Sequence, residues 1–176
     1  MIKKLNSVSL ETERLLIRPI EDADVKSVYQ IHIDDEVNRY LPYDTWQSWD
    51  DAKHWYAKII QRRVNQEAEQ FVIVRTEDQQ LIGTSIVFGF NEVDRSCEFG
   101  YVLHRKFWRQ GYMFEATSSL LTTLMAINEI DAVRAVVDSE NKASLALLAN
   151  LGFTVTARLS ESDANDRETY YLRYEF

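Results

Sequence analysis

One cysteine, two prolines and five glycines are found among the 176 residues, and each scarcity excludes something. A lone thiol, Cys97, can close no internal disulfide and build no cysteine metal site, so the chain suits a reducing compartment and a cytoplasmic location is expected. With so little proline and glycine no stretch reads as a linker, and no repeat or low-complexity tract divides the sequence. Nowhere do 18 apolar residues run together, and the lysines of the opening MIKKLNSVSLETERL are followed by no apolar run of signal length. Secretion and membrane spanning are therefore not expected. Basic residues are also a minority, with 20 Lys and Arg against 28 Asp and Glu and a formal net charge of −8. That balance argues against a general nucleic-acid binder, which gains affinity by neutralising phosphates, and favours a cationic small partner.

What is abundant is core-forming material: 45% hydrophobic and 12% aromatic residues. A domain of this size hides about 70% of its unfolded surface, so one domain spanning residues 1–176 is expected. Leu15 to Pro19 reads as a short extended run, and the acids Glu21 to Asp24 open a helix reaching about His32. Ser48 or Asp50 can cap a second helix carrying Trp55, Ile59, Ile60 and Val64 at helical spacing. The pattern then changes to β-branched and aromatic runs, Phe71–Val74, Leu81–Phe90 and Cys97–Leu103, whose short polar connectors predict an antiparallel meander.

Met113, Ala116, Leu120, Leu124 and Ile127 fall at steps of three and four, which predicts a long helix. Val133–Val137 follows as a buried strand and Asn141–Leu151 as a helix ended by Gly152. A final strand pair, Phe153–Ala157 and Thr169–Tyr174, turns around Asp163–Asp166. A strand that enters a helix and then another strand is a β-α-β crossover, so the expected architecture is a mixed α/β fold with a mostly antiparallel sheet and at least one parallel pair.

The chemistry concentrates between residues 98 and 116. Arg105, Lys106 and Arg109 make a basic cluster in an acidic chain, directly before a helix start, with Gly111 where the backbone turns closely. Exposed N–H groups and the helix dipole at such a place favour a phosphate or diphosphate. The segment is neither GxxxxGK[ST] nor GxGxxG, which disfavours an ordinary NTPase or a dinucleotide-dependent dehydrogenase.

Glu98-Phe99-Gly100-Tyr101, Phe107-Trp108-Arg109-Gln110-Gly111-Tyr112 and Glu115-Ala116 together resemble the acetyl-CoA-binding motif of the GNAT N-acetyltransferases, in the Rim-type branch that acetylates ribosomal protein N-termini. Three further segments match in order. Thr12 to Pro19 resembles that branch's opening strand, Leu81-Ile82-Gly83 its third strand, and Asn141-Lys142-Ala143-Ser144 through Leu151-Gly152-Phe153 its second CoA-contacting helix.

The resemblance implies a GNAT fold over roughly residues 11–176 and transfer of acetyl from acetyl-CoA, as co-substrate and without a metal, to a primary amine. It implies that Arg109, Gln110, Gly111, Tyr112 and Met113 hold the diphosphate. Main-chain groups of Tyr101, Val102 and Leu103, with Asn141, would meet the pantetheine arm. Three positions depart from the family's general pattern: Trp108 stands where Arg or Gln is usual, Met113 where Gly or Ala is usual, and Leu148 where many members carry a tyrosine acid. Ser144 resembles a serine of the Rim branch and is the candidate partner of the leaving sulfur. Family members often form homodimers, and no segment here requires it.

Direct transfer needs a neutral amine, a polarised thioester and a stabilised thiolate, with no covalent enzyme intermediate. Glu98, a carboxylate in an otherwise apolar strand, is the candidate base, the alternative being a salt-bridged strand carboxylate. On resemblance the leading acceptor is a protein N-terminal amine. A small amine such as a polyamine, an amino acid or an aminoglycoside is the alternative, and a non-catalytic acyl-CoA-binding module is the reading from another class.

His32, His54 and His104 show no HExxH spacing and no acidic partner at ligand spacing, so no metal is expected. Cys97, pointing to the opposite strand face from Glu98, reads as a core thiol. The aromatics Tyr40, Tyr43, Trp46, Trp49 and Trp55 read equally as acceptor wall or as core.

Overall fold

The computed structural model describes residues 2–127, 129–160 and 168–176. Eight strands form one sheet in the order β1-β2-β3-β4-β5-β6-β8-β7. They are β1 (Leu10–Glu11), β2 (Leu15–Pro19), β3 (Ala68–Arg75), β4 (Gln80–Asn91), β5 (Ser96–Leu103), β6 (Ala132–Asp138), β7 (Thr154–Ser160) and β8 (Glu168–Glu175). The helices are α1 (Ile2–Leu5), α2 (Val25–His32), α3 (Asp35–Asn38), α4 (Trp49–Val64), α5 (Tyr112–Met125) and α6 (Lys142–Asn150). Every pairing is antiparallel except that of β5 with β6, across the α5 crossover.

The long elements fall where periodicity places them, and their ends follow from capping. Ser48 starts α4, with the Asp51 carboxylate accepting from the Ser48 main-chain N–H at 2.8 Å. Gly152, at φ +95°, closes α6 in the left-handed conformation that glycine alone adopts freely. Three short elements are additions to the sequence reading: α1, β1 and α3 are too brief to show a period. The Asp34 carboxylate accepts from the Glu36 N–H at 3.1 Å and so caps α3. The expected turn at Asp163–Asp166 lies outside the described residues.

The sheet separates two cores. On one face α5 and α6 pack over Leu15, Ile17, Phe71, Ile73, Cys97, Phe99 and Val133. On the other, α2 and α4 cover Val72, Val74, Leu81 and Ile86. Glu69 is a charge inside the fold: its carboxylate is fully buried, and the Arg63 guanidinium of α4 binds it through Nε and Nη2 while also donating to the Ile20 carbonyl at 3.1 Å.

The aromatic stretch divides: Trp46 is buried in the core with Trp55 packed against it, whereas Tyr43 and Trp49 stay exposed. Trp46 lies 4.4 Å from the His32 ring, centroid to centroid, with Tyr43 and Trp55 around the same imidazole. Asn38 Nδ2 donates to the His32 and Asp34 carbonyls, so its Oδ1, 3.0 Å from His32 Nδ1, receives the imidazole proton. His32 Nε2 is then a buried lone pair with no donor among the described residues. Burial holds the His32 pKa below its usual value, against the smaller opposing effect of Asn38. Protonation therefore favours the unfolded chain: the stability His32 contributes is complete above about pH 6.5 and is lost as pH falls toward the depressed folded value. Calorimetry from pH 7.5 to 5 should show a falling melting temperature, with a shallower slope for His32→Gln. An equal slope would assign the acid sensitivity elsewhere.

Candidate active site

The parallel pair is where the sheet opens. β5 and β6 are joined at only three positions, Ser96, Cys97 and Glu98 opposite Ala132, Val133 and Arg134. Beyond Glu98 the strands part, leaving residues 99–103 of β5 without a strand partner on that side among the described residues, although β4 still pairs with them on the other. Gly83 of β4 permits this close pairing, because a Cβ there would stand 2.5 Å from the Val102 carbonyl oxygen.

Glu98 sits at the apex of the parting. Alternation along β5 puts it on the face of Val102, toward the α2 and α4 layer, and Cys97 on the other face, fully buried. Glu98 is half-buried, burial raises its carboxyl pKa, and Arg134 on the paired strand opposes that rise. Among the described residues the Glu98 carboxylate has no hydrogen bond and no ion pair, so it is not the salt-bridged carboxylate that was its alternative. Burial pushes the Cys97 thiol up to about 12, which leaves it inert as a nucleophile at neutral pH.

Across the parting the opposite face carries a hydroxyl pair. Tyr101 of β5 and Ser144 of α6 are hydrogen-bonded, oxygen to oxygen, at 2.6 Å. Ser144 is held in turn through its N–H, which donates to the Asn141 side chain at 3.1 Å in the N-cap position of α6. Asn141 is thus engaged as a cap, and the Tyr101 side chain, not only its main chain, belongs to the site. Burial pushes the Tyr101 phenol up to about 12, with Ser144 pulling it back. Leu148, at the family's tyrosine position, is fully buried in the core.

The basic turn lies at the open end of β5. Trp108 Nε1–H donates to the Leu103 carbonyl at 2.7 Å, so that carbonyl already has one partner. Arg109 and Gly111 both take left-handed backbone angles, φ +59° and φ +82°, which curl the chain around Gln110 just before α5. Gly111 is the N-cap of α5 and has no side chain to satisfy the first N–H groups, which a helix leaves without internal acceptors. Tyr112 and Met113 turn their side chains into the core, so their contribution to the turn is main-chain N–H; Met113 does not obstruct it. A curled backbone and an uncapped helix start, beside Arg105, Lys106 and Arg109, fit a diphosphate. Among the described residues no three His, Cys, Asp or Glu side chains gather as metal ligands, and no helix is long and apolar enough to cross a membrane.

Sequence reasoning gave no role to Thr12, Arg14 and Glu115, although all three lie in the quoted motifs. They form one hydrogen-bonded cluster behind the turn: the Thr12 hydroxyl and the Arg14 main-chain N–H both donate to Glu115 Oε1, at 2.6 and 2.9 Å. Only a pairing of two motifs a hundred residues apart would have revealed it.

Residues 14–154 match the acetyltransferase (GNAT) domain family. The chain belongs to that family. Among its relatives, the uncharacterized N-acetyltransferase p20 of Bacillus licheniformis is 30% identical over 148 residues, covering 82% of each chain. The ribosomal protein uS5 alanine N-acetyltransferase of Escherichia coli K12 is 28% identical over 158 residues, covering 83% of this chain and 78% of that one. The GNAT fold is shared with spermidine N-acetyltransferase from Vibrio cholerae, solved in complex with CoA and spermine: TM-score 0.81 at 18% identity, covering 93% of this chain and 96% of that one. This GNAT protein is accordingly an acetyl-CoA-dependent N-acetyltransferase, on the mixed α/β sheet expected from its sequence.

Proposed function

We propose that this GNAT enzyme acetylates the α-amino group of a protein N-terminus by direct transfer, with Glu98 as the base and Ser144, backed by Tyr101, as hydrogen-bond donor to the departing sulfur. The observation that carries the reading is Glu98 itself, a half-buried, unpaired carboxylate at the apex where β5 and β6 part. Acetyl-CoA supplies an activated acetyl thioester; the α5 turn, through Arg109, Gln110, Gly111, Tyr112 and Met113, would hold its diphosphate. The chain's own groups do the rest. An α-amine with pKa near 8 is about a tenth neutral at pH 7, so a base of modestly raised pKa suffices to take its proton. The hydroxyl pair works differently. With the Tyr101 phenol at about 12, it is a weaker acid than a thiol of about 8.5. It therefore stabilises charge growing on sulfur by hydrogen bonding, without giving up its proton.

The two faces divide the labour: Glu98 lies toward the α2 and α4 layer and Ser144 toward α5 and α6, with the open seam between. This supports acceptor entry from the first side and donor entry from the second. A small cationic amine is the second reading, favoured by the net charge of −8 and by the shared fold with a spermidine enzyme. Free-thiol release measured with acetyl-CoA against a panel of N-terminal peptides, spermidine, amino acids and an aminoglycoside separates them. Turnover with peptides and not with spermidine is expected. Turnover confined to spermidine would replace the first reading by the second, and inactivity with every amine would defeat both.

A further inference from the structure

The strongest unassigned feature is the cluster behind the phosphate turn. The Glu115 carboxylate, in the first turn of α5, accepts from the Thr12 hydroxyl at 2.6 Å, from the Arg14 main-chain N–H at 2.9 Å and from Arg14 Nε at 2.7 Å. Arg14 Nη2 lies 2.7 Å from its second oxygen. The other arm of the guanidinium, Nη1, donates to the Gln110 carbonyl at 3.0 Å. Its plane stacks on Tyr112, 4.3 Å from the ring centroid. A Cβ on Gly111 would come within 3.4 Å of Nη2. Arg14 thus touches Gln110, Tyr112 and Glu115 and passes beside Gly111, which is every part of the turn from its last loop residue into the helix.

This arrangement solves an electrostatic problem. A carboxylate in the first turn of a helix interacts well with the helix dipole, yet here it stands where a doubly charged anion is to bind. Burial raises the Glu115 carboxyl pKa, but the bonds from Thr12 and Arg14 outweigh that and leave it lowered, so Glu115 is an anion at neutral pH. With four donors turned onto it, its charge is spent inward. Without the Arg14 side chain it would keep the Thr12 and main-chain bonds but lose its counter-charge beside the turn, and the Gln110 carbonyl, freed from Nη1, would no longer be drawn away from the incoming phosphates.

We infer that Arg14 and Glu115 are positioning residues for diphosphate recognition, tying the β1–β2 edge of the sheet to the α5 turn and holding its N–H groups in their binding arrangement. This rests on the reading that the turn takes the donor's diphosphate, and it extends that reading to residues that never touch the donor. Selectivity between CoA and pantetheine, which lacks the diphosphate, reports the effect, measured calorimetrically as dissociation constants.

Arg14→Met should weaken CoA binding by about thirtyfold, the order expected for a bared carboxylate several ångströms from two phosphate charges, while pantetheine binding changes less than about twofold. Arg14→Lys keeps a charge but loses the fork and should fall between. Arg14→Met/Glu115→Gln, which removes the bared carboxylate, should bind CoA better than Arg14→Met alone. Equal losses for CoA and pantetheine in both Arg14 variants would make the cluster merely structural, and unchanged CoA affinity would overturn the inference outright. If the unmodified enzyme itself bound CoA no better than pantetheine, the diphosphate reading would fail first, a result distinct from either.

Discussion

Glu98→Gln should lower kcat/KM at pH 7 by about a hundredfold, within the range that a positioned general base supplies. The substitution keeps the size and polarity of the side chain, and the carboxylate it replaces holds no ion pair, so the fold loses little. The pH profile carries the finer test. Glu98 must be ionised to accept a proton, and burial sets its pKa above the ordinary carboxylate value. The unmodified enzyme should therefore lose activity as pH falls through that raised pKa. In Glu98→Gln this limb should vanish, leaving a rate that climbs with the acceptor amine's own ionisation near pH 8. Acetyl transfer followed by thiol release from pH 5 to 9.5 measures both. A variant with unchanged rate and an unchanged acid limb would remove Glu98 from the mechanism.

The largest effect on stability is expected at Arg63→Met. Glu69 is fully buried, and the Arg63 guanidinium binds both of its oxygens. Removing the cation leaves a fully buried carboxylate without its counter-charge, which costs about 3–5 kcal/mol where a buried pair is broken from one side. For a domain of this length that is a fall in melting temperature of roughly 10 °C or more. The double variant Arg63→Met/Glu69→Leu, which removes both charges, should regain most of the loss. Thermal unfolding of the three proteins decides, and a single variant within about 2 °C of the parent would show the carboxylate reaching water or taking up a proton at little cost.

How much of this was legible beforehand depends on the range over which each signal acts. The helices of residues 25–32, 49–64 and 112–125 and the meander strands were readable because period and capping are local, and Ser48 and Gly152 mark ends through their own chemistry. Glu98 stood out because a carboxylate in an apolar strand is visible in one dimension. Glu69 did not, since its partner Arg63 lies across a turn on a helix and nothing in the strand's pattern announces the pair. The Tyr101–Ser144 bond joins residues on either side of the parting and depends on how α6 docks. The same holds for Arg14 and Glu115, whose meeting is fixed by the fold and by no spacing. The cap at Asp34 escapes the sequence for a subtler reason: a cluster of acids looks solvated, and only the geometry of one N–H reveals it.

The parting of β5 and β6 also bears on how the molecule moves. Five strands lie to one side of it and three to the other, and only three residue pairs rivet the two plates together within the sheet. Such a seam is a compliant line in an otherwise stiff panel, braced at one end by Arg134 on the Gly89 carbonyl and Arg173 on Asp94, and across the opening by the Tyr101–Ser144 bond. Whatever fills the seam becomes part of the frame, taking up strand-edge groups of β5 that β6 does not pair. Donor affinity and the stiffness of the panel are then one quantity seen from two sides. On the proposed reading of the seam as the donor's place, loosening the rivets at residues 96–98 should weaken donor binding without touching a donor atom.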